Sequence, residues 1–178
     1  MTKPLAVVFA EEMYECLELH YPRLRLIEAG YNVVVAAPAK DTVYKSKEGY
    51  WARSTATVSE IDPACVRVLV IPGGFCTDRL RRYPDICAFT AACWAGGEGA
   101  VVAFICHGGW LPVSAKILRG MKVTCFPAIK DDLENAGAVL LIDQRCVVDG
   151  RMVTAQTPED LPEFMKQTLR VAEEVAKK

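Results

Sequence analysis

The chain has 178 residues, with 21 lysines and arginines against 22 aspartates and glutamates, for a formal net charge of −1. No basic cluster is longer than Arg79-Leu80-Arg81-Arg82, so there is no electrostatic case for nucleic acid or an anionic membrane as partner. Eight cysteines in a core-rich chain without an export signal do not read as a disulfide scaffold, and with only His20 and His107 and no CxxC pair a zinc set is not expected either.

Six or seven of the thiols, Cys65, Cys87, Cys93 and Cys146 among them, read as small buried hydrophobes. The length suits one domain over 1–178 with a core that needs no staples. No apolar run is long enough to span a bilayer, and Met1-Thr2-Lys3-Pro4 leads straight into a short apolar run without signal-peptide features. The expected location is cytoplasmic.

Leu5 to Phe9 and Asn32 to Ala37 read as strands. Between them lies a helical pattern with Leu17, Tyr21, Leu24 and Ile27 on one face, kinked at Pro22 and stopped at Gly30. The length fits a right-handed βαβ crossover. Lys40 to Ser59, polar and aromatic, reads as a hairpin-bearing excursion at a sheet edge. Val66 to Ile71 is a third strand, closed by Pro72-Gly73-Gly74, and a helix from about Pro84 to Ala95 precedes the strand that ends at Cys106.

The second half predicts a helix over Gly109–Leu118, a short strand near Val123, a helical piece over Lys130–Ala136 and a strand at Val139–Ile142. Cys146 to Val153 reads as a hairpin with Asp149-Gly150 in a type I′ turn. The last helix starts with Thr157 as N-cap and Pro158 at N1, and buries Leu161, Phe164, Thr168, Ala172 and Val175. Alternating strands and helices with continuously apolar strands give an α/β fold. It is an open, mostly parallel sheet with helices on both faces, a flavodoxin-like three-layer sandwich.

In such sheets the site lies at the carboxyl ends of the strands. Ala10 to Glu15, Pro72-Gly73-Gly74 and Cys106-His107 converge there. A cysteine where a buried strand breaks into a helix sits at a sharp turn with its sulfur exposed, the cysteine form of a nucleophile elbow, and the first amides of the helix favour the thiolate.

Ile105-Cys106-His107-Gly108, the Pro72-Gly73-Gly74 turn and Lys130-Asp131-Asp132-Leu133-Glu134-Asn135-Ala136-Gly137 together resemble the ThiJ/PfpI family, related in fold to the class I glutamine amidotransferases. The likeness extends to Tyr21-Pro22 and to Pro158 with Asp160-Leu161. The resemblance implies Cys106 as nucleophile and Glu15 as the glutamate that hydrogen-bonds the sulfur and shuttles protons. It implies His107 as the histidine of the PfpI branch, and Asp78 as the carboxylate that reaches the histidine of a neighbouring subunit. The backbone amides of Gly74 and His107 become the oxyanion donors, and Gly73, Gly109 and Phe126 line the pocket. Asp78, Gly109, Phe126 and Gln156 stand where the family usually has glutamate, proline, tyrosine and arginine, and the last two changes make the pocket more apolar.

The same resemblance implies a cofactor-independent cysteine enzyme of the glyoxalase III, deglycase or PfpI-type hydrolase kind. It would act on methylglyoxal, its adducts or peptides, as a homodimer or hexamer. The absence of any histidine after His107 excludes an amidotransferase triad. The alternative from a different class is a redox-sensing or protective chaperone-like protein in which Cys106 is oxidised rather than turned over.

Overall fold

A computed structural model describes residues 3–96 and 99–177. In its first half the chain runs β1 (Leu5–Phe9), α1 (Cys16–Glu28), β2 (Asn32–Ala36), β3 (Val43–Lys45), β4 (Trp51–Arg53), β5 (Val66–Ile71), α2 (Cys76–Leu80) and α3 (Pro84–Ala95). It continues with β6 (Val101–Ile105), α4 (Trp110–Ser114), β7 (Lys122–Val123), α5 (Lys130–Asn135), β8 (Val139–Leu140), β9 (Cys146–Asp149), β10 (Met152–Ala155) and α6 (Leu161–Ala176).

Six strands form the central sheet in the order β2-β1-β5-β6-β10-β9. All neighbours pair in parallel except the edge strand β9, which runs antiparallel to β10. Every residue of β6 and the last four of β1 are buried, as strands covered on both faces require. α1 and α6 pack together on one face, while α3 and α4 pack on the other. The fold is therefore the flavodoxin-like sandwich that the apolar periodicity predicts.

The excursion at residues 40–59 carries the β3–β4 hairpin, and this hairpin reaches over the strand ends. Met13 N–H donates to Lys45 O at 2.8 Å, and Lys47 N–H donates to Tyr14 O at 2.9 Å. On the other edge of the same strip, Phe75 N–H donates to Met13 O at 2.9 Å, and Glu15 N–H to Gly73 O at 3.1 Å. Residues 13–15 are thereby held between the hairpin and the Gly73-Gly74 turn.

Several elements differ from expectation. The inward face of α1 is Glu18, Leu19, Pro22 and Leu26. Leu17, Leu24 and Ile27 instead face solvent, Leu17 and Leu24 with more than half their area exposed. The helix runs to Glu28 through Pro22, whose ring nitrogen cannot supply the i+4 donor to the Glu18 carbonyl. The helix expected over Gly109–Leu118 is a tight 3₁₀ turn at Cys106–Gly109 followed by the short α4. It ends where Lys116 adopts a left-handed φ of 59°. β8 is only two residues long, and among the described residues it pairs with the equally short β7.

In the β9–β10 hairpin Asp149 pairs with Met152, so the central turn residues are Gly150 and Arg151 rather than Asp149 and Gly150. Gly150 has φ 57° and Arg151 has no positive φ, the pattern of a type II′ turn. Of the cysteines only Cys76, Cys93, Cys106 and Cys125 are buried, and Cys65 is exposed. Thr157 stands just outside the last helical segment as predicted, with its N–H donating to the Asp160 carboxylate at 2.9 Å. Among the described residues no helix is long and apolar enough to cross a membrane.

Candidate active site

β6 delivers the chain to Ile105 in extended conformation, and Cys106 then turns sharply with φ 60°. A non-glycine residue in the left-handed region persists only when its surroundings over-determine it. Three contacts do so here. The Phe126 N–H donates to the Cys106 carbonyl at 3.3 Å, and the Thr77 hydroxyl donates to the His107 carbonyl at 2.9 Å. Gly108 lies so close to the end of β5 that a Cβ there would fall 2.5 Å from the Ile71 carbonyl oxygen.

The turn presents the sulfur to two backbone donors, the amides of His107 and Gly74, both within hydrogen-bonding reach. These are the two expected oxyanion donors, and with α4 only five residues long they replace a helix macrodipole as the electrostatic support of the site. Gly73 closes the floor. A Cβ at Gly73 would lie 2.6 Å from Glu18 Oε2, 2.7 Å from Cys106 Cβ and 2.9 Å from the His107 nitrogen.

The carboxyl that meets the sulfur belongs to Glu18, not to Glu15. Glu18 is fully buried, and its Oε2 accepts the Gly73 N–H at 2.7 Å. Oε2 stands beside Cys106, both lying within 2.7 Å of where a Gly73 Cβ would be, while Oε1 has no directed partner among the described residues. Burial, and secondarily the neighbouring Glu15 charge, push its pKa from 4.5 up to about 8, so it carries a proton at neutral pH. Glu15 sits three residues earlier as the N-cap of α1, with its carboxylate accepting the Glu18 N–H at 2.8 Å. It therefore positions the start of the helix and biases Glu18 towards its protonated form.

The Cys106 thiol is pushed up to about 12, first by burial and second by the Glu18 charge, with the His107 and Gly74 amides pulling the other way. Glu18 thus helps the thiol keep its proton, while Glu18 keeps its own through burial and the Glu15 charge. His107 Nδ1 lies 3.3 Å from the Cys106 sulfur. Burial, and secondarily the Lys47 charge, lower the imidazole pKa, so the ring is neutral and able to accept the thiol proton. Adjacent residues rarely face one site, and it is the left-handed turn at Cys106 that permits it.

The His107 ring stacks on Phe126 at 4.8 Å between centroids, meets the edge of Trp110 at 5.3 Å and lies 6.3 Å from Phe75. Gly109 turns away from this pocket. Its α-carbon packs so closely on Leu133 and Phe104 that a side chain would crowd both. Asp78 lies in α2 on the surface, ion-paired with Arg82, and no hydrogen bond joins it to His107 among the described residues. Gln156 is buried, and its amide nitrogen donates to Thr124 Oγ1 at 2.8 Å, Ile142 O at 2.6 Å and Gln144 O at 3.1 Å. Its amide ties Thr124 to the segment between β8 and β9.

An open parallel sheet with a cysteine on a strained elbow at its strand ends, beside a buried protonated carboxyl, defines the class. Residues 4–171 match the DJ-1/PfpI family, and the chain belongs to that family. It is similar to a deglycase of Pyrococcus horikoshii, 37% identical over 158 residues that cover 89% of this chain and 93% of the relative. It also resembles general stress protein 18 of Bacillus subtilis, 33% identical over 97% of this chain and 99% of the relative.

Among solved structures, a two-domain protein from Anabaena variabilis with DJ-1/ThiJ/PfpI-like and ferritin-like domains superposes with a TM-score of 0.90 at 34% identity. The match covers 94% of this chain and 48% of that protein. Drosophila melanogaster DJ-1beta superposes with a TM-score of 0.86 at 21% identity over 99% and 97% of the two chains, which speaks for the fold.

Proposed function

We propose that the protein is a cofactor-independent cysteine enzyme acting on reactive carbonyl compounds such as methylglyoxal or its adducts. The observation that carries this reading is the fully buried Glu18 carboxyl beside Cys106 on its strained elbow. The relatives named deglycases support the same direction.

In the first step the Cys106 sulfur adds to the aldehyde carbon. The thiol proton passes to neutral His107 Nδ1, Glu18 donates a proton to the developing alkoxide, and the product is a hemithioacetal. Glu18, now a carboxylate, then takes the proton from the former aldehyde carbon and returns one to its neighbour, giving a lactoyl thioester. In hydrolysis Glu18 takes a proton from the attacking water and His107 returns its proton to the departing sulfur, so methylglyoxal and water become lactic acid with no redox partner and both groups are reset. Peptide cleavage is the weaker reading, because Asp78 is engaged with Arg82 and no carboxylate among the described residues hydrogen-bonds the imidazole.

Cys106→Ser and Glu18→Gln are expected to abolish lactate formation from methylglyoxal, measured enzymatically, with circular dichroism unchanged. Glu15→Gln is expected to retain part of the rate. Turnover that survives Cys106→Ser refutes the reading. The Glu18 proton also suits a sulfinate on Cys106, the basis of a redox-sensor role. Absence of turnover by fully reduced protein would favour that role.

Self-association belongs to the same proposal. Leu17, Leu24 and Ile27 project from α1 beside the exposed, stacked Tyr50 and Trp51 and a groove of about 300 Å³ lined by His20, Arg23 and Arg53. An apolar face of this kind fits a second copy of the chain.

A further inference from the structure

Lys47 places a cation beside the strip that leads to Glu15 and the first turn of α1. It lies on the turn of the β3–β4 hairpin, and its N–H donates to Tyr14 O at 2.9 Å, which fixes its backbone against the strip that leads to Glu15. Its ammonium pairs with Glu48 Oε1 at 3.3 Å. Glu48 Oε2 accepts the Cys16 N–H at 3.1 Å, so the ion pair is tethered over the first turn of α1. The other edge of the strip is held by the Gly73-Gly74 turn that packs against Cys106, and the Lys47 charge helps to pull down the pKa values of Glu15, Glu18 and His107. The Lys47 and Glu48 side chains are 41% and 42% exposed, so the ammonium stands at the solvent boundary, free to exchange one partner for another. The organic wall of the pocket is aromatic, made by Phe75, His107 and Phe126.

We propose that Lys47 is the anion-recognition residue of the Cys106 pocket, pairing with a carboxylate carried by the carbonyl compound that the sulfur attacks. The preferred substrates are then adducts with a free carboxylate, such as those of an amino acid or a chain terminus, rather than neutral aldehydes. By exchanging Glu48 for the incoming carboxylate, the one ammonium can balance a monoanion, but it leaves a phosphate dianion uncompensated. The substrate side of this inference rests on the carbonyl-addition reading, while the anion recognition itself can be measured without turnover.

The test compares alkylation of Cys106 by iodoacetate and by iodoacetamide, followed by peptide mass spectrometry. Both reagents attack the same sulfur, so any change in thiol reactivity cancels in the ratio of their rates. Lys47→Met is expected to lower the iodoacetate-to-iodoacetamide ratio roughly fivefold, the size of one partly exposed ion pair, and Lys47→Arg to restore it. In turnover, Lys47→Met is expected to raise KM for the methylglyoxal hemithioacetal of N-acetylcysteine several-fold more than that for the adduct of N-acetylcysteinamide. A ratio unaltered by Lys47→Met, or both reagents slowed equally, overturns the proposal. A ratio that shifts as expected in a protein that turns over neither adduct sustains anion recognition and refutes the carbonyl-addition reading instead.

Discussion

Replacing Glu18 by glutamine is expected to stabilise the protein while removing its chemistry. In the unfolded chain Glu18 ionises near 4.5, whereas in the native state it keeps its proton up to about 8. Unfolding between those values therefore releases a proton, and native stability falls as pH rises through that window. The burden is small at pH 5 and reaches about 3 kcal/mol at pH 7, at 1.36 kcal/mol for each pH unit. Glutamine is neutral in both states and has nearly the same shape. Its amide oxygen can keep the Gly73 N–H, and its amide nitrogen can donate to the Cys106 sulfur where Glu18 Oε1 has no directed partner.

Burying the new amide offsets part of the gain, so the pH dependence is the sharper signal. Urea unfolding of wild type and Glu18→Gln at pH 5, 7 and 8.5 should show a gap in unfolding free energy that widens by about 2–4 kcal/mol across the series. At pH 7 the variant should melt several degrees higher. A gap independent of pH, or one that narrows, would refute the claim that Glu18 is held neutral by burial.

Gly73→Ala places a methyl group within 2.9 Å of Glu18, Cys106 and His107 atoms. It should cost about 1–3 kcal/mol and slow Cys106 alkylation at least tenfold, and an unchanged alkylation rate would mean the floor is softer than described. Asp160→Ala removes the acceptor of the Thr157 N–H and of Arg145 Nε at 2.8 Å. Chemical denaturation should register a loss of about 1–2 kcal/mol. Gln156→Leu strips the Ile142 and Gln144 carbonyls of their donor and should lower stability by about 1–3 kcal/mol, with the Cys106 alkylation rate little altered. Leu24→Lys puts a charge on the outward face of α1 and should halve the sedimenting mass in ultracentrifugation if that face holds two copies together.

The strands and the elbow were legible because their signals are local. Continuous apolar runs ended by Pro72-Gly73-Gly74 and by Cys106-His107 mark buried strands and the turns that come after them, and α3 begins and ends where Pro84 and Ala95 indicate. The orientation of α1 was not legible. Leucines at 17 and 24 look like a core stripe, yet the sheet receives the face that carries Glu18, because Gly73 and Cys106 supply that carboxyl with partners. Glu18 lies one helical turn beyond Glu15, and this i, i+3 spacing was the signal available for it. Lys47 could not be read at all, since its place depends on how a hairpin some thirty residues downstream of α1's first turn folds back over it. Asp149-Gly150 marked the hairpin correctly and missed its register by one residue, which pairing across β9 and β10 decides.

The grip on residues 13–15 limits how this site can change. The hairpin holds one edge of that strip and the Gly73-Gly74 turn the other, so lengthening the segment between Lys45 and Lys47 would drag the Gly74 amide off the sulfur. Insertions there trade away the nucleophile. Single replacements at Lys47, Phe75 or Phe126 leave the backbone untouched, because each of these side chains projects from a frame already fixed by main-chain bonds. Diversification of this scaffold is therefore channelled into side-chain exchange at constant loop length, and new specificity is reached in point substitutions while the elbow stays as it is.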